Sequence, residues 1–479
     1  MKRKTRALLC VLMIFLLASA CLVPASANSA VRYWEGSTAY GVMVGEGQCP
    51  IQVLHETLTF DVPHFPDYVS ADKSEQYEAK VTADYTLHNP TNDDVTVKLA
   101  FPFGQKPNYY FSHHIGDEDL LLERYGVSLN GEAVVVQLRH TFCEGRFDLF
   151  TDLPRLHDGY LQDNFYSPEL PVTHYVYEVS KINVTKTAIA YAELLIESDL
   201  GENTKIFVPN SLSPRDGDGV HIRTDLQMNS LIQLIDVYVL GEPLDTMPEW
   251  SLHFYQEQTP FDAEFELLDI TQMTYYDLAM QEYGENEGIT ECDWYNAVTD
   301  SFLAGEQDFG VTRTYNGTLD MTERLMQWYE YEITVPASKT VQNSVTAPLF
   351  PSINRGYEPS VYEYNYLLSP ATTWASFGTL DVIIKTPYYL VLDNEGYESI
   401  EGVYQKHYDS LPTGELSLKL STTENPKETG MNFAGMLFGF LAIIFGSFLA
   451  GIVGILVLIF IVVLILFVIV RTIIRRRRR

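Results

Sequence analysis

The sequence predicts a mainly β protein: a tandem antiparallel β-sandwich ectodomain with a small helical insertion, followed by one C-terminal transmembrane helix. Three observations lead there. Short runs of period-two alternation, bounded by turn residues, recur from about 50 to 420, with a helical rhythm only over 270–304. A basic stretch, an apolar stretch and Ala25-Ser26-Ala27 open the chain. Near the other end, 40 residues without a charge (431–470) precede a cluster of arginines.

The elements follow in order. Lys2, Arg3, Lys4 and Arg6 form a basic head and 7–23 an apolar core. The small residues before Asn28 then read as a signal-peptidase site, so 1–27 is a signal peptide. An uncleaved anchor and lipidation at Cys21 are the alternatives, the latter without the large aliphatic residue that normally opens such a site. Residues 50–62 form the first long strand. Tyr77, Ala79, Val81, Ala83, Tyr85 and Leu87 alternate with polar residues, "NPTNDD" makes a turn, and Val95, Val97, Leu99 and Phe101 resume the alternation. This predicts an antiparallel hairpin with one buried face. Asn130-Gly131 supplies the positive φ angles of a second, tight hairpin. Strands at 173–180, 187–198, 204–210 and 231–241 complete a sandwich domain over 28–255.

A second β-rich domain is predicted over 256–422, with a helical insertion at 270–304. Thr274 with Asp277, and Thr290 with Asp293, have the spacing of helix-capping pairs. Trp294, Val298 and Phe302 recur every four residues as one apolar stripe, and Gly305 is read as the helix end. Strands follow at 327–335, 360–368, 378–386, 388–392 and 414–420. Residues 423–430 are a linker and 431–470 the apolar membrane segment. The span is placed at about 447–470, where Leu, Ile and Val dominate, because ~20 apolar residues cross a bilayer. A helical hairpin would return Arg471 and the arginines at 475–479 to the outer side, so a single span with a basic cytoplasmic tail, 471–479, fits the charge rule better.

"VTADYTLHNPTNDDVTVKLAFPFG" followed by "YGVSLNGEAV" resembles the start of the VIT-type β-sandwich: a strand, an Asn-ended turn, a strand ending in Phe-Pro, then a Gly turn. The resemblance covers about 50–135. It implies a sandwich fold and an extracellular scaffold role, and brings no catalytic residues. The D-x-S-x-S metal motif of the von Willebrand A domain that often accompanies such modules is absent.

Charge narrows the partners. The exported stretch 28–430 holds all 63 acidic residues against 22 of the 32 basic ones. A field of that sign repels nucleic acid and anionic headgroups and attracts cations. Cys49, Cys143 and Cys292 match no metal spacing; one bridge with a free thiol, or no bridge, are the options.

Several short motifs carry chemistry. "NPKETG" has one residue too many for a wall-sorting pentapeptide, which favours a retained anchor. Asp216 and Asp218 in "RDGDGVH" are candidate calcium ligands, without the third ligand and closing Glu of an EF-hand. His113 and His114 are adjacent, a spacing that sends them to opposite faces of a strand. Tyr362, Tyr364 and Tyr366 share one face of a strand near Trp374, a candidate platform for glycan rings, although such stripes also fill cores. Cys292, in the first turn of a helix, is read as a buried inert thiol. No G-x-S-x-G, H-E-x-x-H, P-loop or dinucleotide motif is present, and "SADK" lacks the partner motifs of S-x-x-K enzymes. Gly435 with Gly439, and Ser447 with Gly451, allow self-association of membrane helices. The expectation is a single-pass surface protein that binds cell-wall glycan or a protein ligand, or acts as a scaffold. No cofactor is expected beyond calcium. An envelope hydrolase with dispersed residues and a wall-anchored adhesin are the alternatives.

Overall fold

The structure is a computed structural model that describes residues 26–27, 29–35, 49–66, 79–104, 125–143, 148–180, 190–196, 203–209, 211–212, 220–226, 233–244, 248–254, 257–261, 263–283, 288–309, 324–392 and 396–429. The elements that position the site are, in chain order, β1 (Cys49–Asp61), β2 (Lys80–His88), β3 (Val95–Gly104), β4 (Val136–Phe142), β5 (Pro171–Ser180), β6 (Gln233–Gly241), β7 (Glu264–Thr274), α1 (Tyr275–Ala279), α2 (Glu291–Phe309), β8 (Leu325–Val335), β9 (Thr340–Pro348) and β10 (Trp374–Lys385). The fold is mainly β, as the alternation predicts.

The period-two runs bury the expected faces. Val81, Ala83, Tyr85 and Leu87 of β2, and Val95, Val97, Leu99 and Phe101 of β3, are each at most 1% exposed. The predicted hairpin between them is corrected. β2 lies between β1 and β9 in an eight-stranded sheet, while β3 lies between Ala30–Glu35 and β8 in a four-stranded sheet that continues to β4. The "NPTNDD" turn is an arch from one sheet to the other. β8 and β9 make the same crossing, so the two arches run side by side. Alternation reports that one face is buried; a hairpin and an arch give the same pattern.

Asn89 ties the arches together. Its side-chain amide donates to the carbonyls of Asp93 (2.8 Å) and Val335 (2.9 Å), and its oxygen accepts from the N–H and hydroxyl of Thr91. Its own N–H reaches Lys339 O at 2.9 Å. Between the sheets, Asn343 of β9 donates to the Tyr331 hydroxyl of β8 at 3.0 Å. Ser29, fully buried, is held at three points. Its N–H donates to the Tyr85 hydroxyl (3.0 Å), its hydroxyl lies 3.1 Å from that of Tyr331, and its carbonyl accepts from the Trp374 indole (3.1 Å). Ser26 and Ala27 pair with Tyr366 and Leu367.

β10 pairs with β1 in parallel, an exception to the antiparallel expectation. Gly378 permits the approach: a Cβ there would meet Leu54 O at 2.0 Å. This pairing, with that of β8 on β3, also corrects the predicted division at 255/256. Strands from both sides of that position share sheets: β8 pairs with β3 and β4, while β9 and β10 join the sheet of β1 and β2. Sequence proximity is a poor guide to domain limits when one unit is inserted in another.

The inserted unit is a second sandwich, spanning 171–274. A four-stranded sheet, Thr204–Phe207, β6, β5 and β7 in order, packs on a five-stranded one around Tyr175, Tyr177, Val179, Ala192, Leu194, Ile206, Ile235, Val237, Val239 and Leu252. The tight hairpin at Asn130-Gly131 is present, with φ of 53° and 85°. At α1 the Thr274 hydroxyl accepts the Asp277 N–H, and the Asp277 carboxylate accepts the Thr274 N–H. In α2, Trp294, Val298 and Phe302 are buried among Tyr166, Phe207, Tyr238 and Tyr275. The helix runs on through Gly305 to Phe309, so Gly305 does not end it. One glycine costs a helix only about 1 kcal/mol.

Residues 353–362, 388–392 and 419–429 cluster as a separate small unit among the described residues. Within it, Tyr357–Glu358 pairs with Lys427–Glu428, and Tyr389–Leu390 with Ser421 and Leu420. Cys49, Cys143 and Cys292 form no disulfide among the described residues. No helix among the described residues is long and apolar enough to cross a membrane. The predicted signal core and membrane segment lie outside the described residues.

Candidate functional site

The densest group of chemistry-bearing side chains lies where α2 meets the four-stranded sheet. Arg139, on β4, sits beside Trp328 of β8 in register, and Glu330 lies two residues further along that strand. Asp293 enters from the first turn of α2, where its N–H is capped by the Thr290 hydroxyl at 3.1 Å. That predicted cap forms on one side only, because the Asp293 carboxylate turns to the sheet. It accepts from Arg139 Nε (3.0 and 3.1 Å) and Nη2 (2.9 Å), and from the His140 N–H (2.9 Å). Arg139 Nη1 reaches Glu330 and Asp158, each at 3.2 Å, and Nη2 donates to the His157 carbonyl. Lys98 of β3 pairs with Glu330 at 2.7 Å.

The side chains of Arg139, Asp293 and Glu330 are 3–4% exposed, whereas Asp158 is 65% exposed. Burial pulls the guanidinium pKa down, and the bonds from Asp293 and Asp158 more than reverse that. The arginine is therefore a fixed cation. Five N–H donors in a planar fork suit it to bridge several carboxylates at once. The cluster fastens α2 to the sheet, since its acids and bases come from β3, β4, β8, α2 and the 157–158 segment.

His140 follows Arg139 and so points to the opposite face of the strand. It is 2% exposed, and neither ring nitrogen has a hydrogen-bond partner among the described residues. Burial drives its pKa down to about 4, against the pull of Asp293. Farther along α2, burial raises Asp300 to about 6, and Asp152 is raised for the same reason, with Arg155 opposing both. Burial also pushes up the Cys292 thiol, which accepts from Asn296 at 3.6 Å. It is a poor nucleophile there.

The predicted glycan platform is corrected. Tyr362, Tyr364 and Tyr366 do share a face, but they are 8%, 0% and 0% exposed and offer a sugar ring no surface. Tyr366 meets Phe60 edge to face, with ring centroids 5.7 Å apart. Trp374 is also buried, spent on Ser29. Asp216, Asp218, His113 and His114 lie outside the described residues. No cluster of three or more metal-ligating side chains occurs among the described residues. The Arg139 cluster had one sequence signal: adjacent Arg and His following an apolar run, in "VVVQLRHTF". Its partner Asp293 is 154 positions away, beyond the reach of any local pattern.

No family model matches the chain, and no curated protein matches it. Among solved structures, a crystal structure from Legionella pneumophila, provisionally described as a nutrient binding protein, aligns over 84% of this chain and 71% of its own. Its 10% identity and TM-score of 0.28 carry no argument for fold or function.

Proposed function

We propose that the chain is a binding or scaffold module of a cell envelope. In this reading a signal peptide (1–27) exports it, a span at about 447–470 anchors it, and the tail 471–479 stays inside. Ser447 and Gly451 then favour self-association of the anchor. The observation that carries the reading is the Arg139–Asp293–Glu330 cluster, whose charged groups are buried against one another and act as a brace. The acidity of 28–430 favours a partner with cationic groups. The loose VIT-type resemblance over 50–135 is compatible with a scaffold role.

The test is a pull-down of the soluble body, 28–428, on cell-wall glycan and on envelope proteins, with calcium and with chelator. Saturable retention of either class supports the module; loss in chelator adds a calcium site. Retention of neither, by correctly folded protein, sinks the reading. An envelope hydrolase is the second reading, favoured by the two acids of raised pKa, Asp152 and Asp300. Glycan cleavage abolished by Asp300→Asn would establish it.

A further inference from the structure

Among the described residues, the inserted sandwich ends on an open edge. In its four-stranded sheet β7 is the last strand, and no described strand lies beyond it. Residues 266–272 are all exposed. Leu267 and Ile270 are 36% and 48% exposed, yet their register sets them in rows with Tyr177 and Ile235, and with Tyr175 and Val237. Those four partners are core residues, so the apolar interior reaches an edge that no described strand covers. The other face of β7 carries Glu264, Glu266 and Asp269; Glu266 shares a row with Glu178, and Asp269 shares one with Asp236. β5, β6 and β7 contain no Lys or Arg.

We infer that β7 is the docking edge for an extended segment of a partner protein in which apolar and basic residues alternate, an inference that rests on the binding-module reading. An added strand shares the period of β7. Its apolar side chains cover Leu267 and Ile270, and its basic ones meet Glu264, Glu266 and Asp269 on the other face. A second copy of β7 fits worse, because it brings the same acids to the seam. Leu268, 49% exposed, is the extra residue of a bulge at this edge. A bulge discourages flat self-stacking while leaving the strand ends available.

The probe is a fluorescent peptide of alternating Val and Lys, titrated against the detergent-solubilised full chain. Two controls accompany it: one with Glu for Lys, and one N-methylated on alternate backbone nitrogens. Saturable binding of the Val/Lys peptide is expected, with both controls at least about tenfold weaker. Ile270→Lys, at an exposed position, weakens it by a similar factor. The double variant Glu266→Lys/Asp269→Lys transfers preference to the Val/Glu peptide. Bound peptide slows hydrogen exchange over 264–272. Equal affinity for all three peptides, indifference to Ile270→Lys, absence of saturable binding, or protection elsewhere overturns the inference. Envelope retention that survives Ile270→Lys leaves the module reading standing and removes this edge from it.

Discussion

Replacing Asp293 by Ala removes the central acid of the brace. The variant deletes three contacts to Arg139 of 2.9–3.1 Å and the acceptor of the His140 N–H. Removing one partner of a buried ion pair costs about 3–5 kcal/mol. Arg139 keeps Glu330 and Asp158, each at 3.2 Å, which places the loss at the lower end, about 3 kcal/mol. At ~1.2 °C per kcal/mol for a fragment of about 400 residues, the melting point of the 28–428 fragment falls by about 4 °C. Intrinsic fluorescence reads it well, because buried Trp328 pairs with Arg139 and buried Trp294 follows Asp293. Asp158→Ala is the internal control: its carboxylate is 65% exposed and contributes at most about 1 kcal/mol. An Asp293→Ala melt within about 2 °C of the parent, or an equal loss from Asp158→Ala, refutes the brace.

Other expectations follow from the same interior. His140 has a folded-state pKa of about 4, below the ordinary 6.5, so its contribution is intact above pH 6.5 and is lost as pH falls toward 4. His140→Gln should flatten the melting-point profile across that window. Asp300 behaves oppositely: raised to about 6, it favours the folded state below about pH 4, an advantage lost as pH rises past 6. Asp300→Asn should therefore stabilise the protein at pH 7.5, by on the order of 2 kcal/mol, and not at pH 3.5. Asn89→Ala strips the arches of four hydrogen bonds and should cost about 3 kcal/mol in urea titration; a loss under ~1 kcal/mol removes Asn89 as their tie.

Local features were legible from the residues alone. The alternation over 80–101, the Asn130-Gly131 turn, the Thr274 capping pair and the Trp294–Val298–Phe302 stripe each depend on a few neighbouring positions, and each appears as expected. Pairing partners were not legible. β2 and β3 carry the same pattern as a hairpin and yet serve different sheets, because alternation fixes a face and not a neighbour. The Tyr362–Tyr364–Tyr366 stripe was legible as a stripe, while its direction, inward, depended on what packs over it. The brace was hidden for the same reason: its members lie on five segments spread over residues 98 to 330.

Under the proposed export route, the anchoring of Ser29 sets an order of events. With the proposed cut after Ala27, a single residue separates the scissile bond from a serine held by Tyr85, Tyr331 and Trp374, and the two residues before that bond are paired to Tyr366 and Leu367. A peptidase must draw its target out as a bare strand, which the finished fold does not release. On the proposed export reading, maturation would be a race between protease and folding, with the leader removed while Trp374, some 350 residues downstream, has yet to arrive.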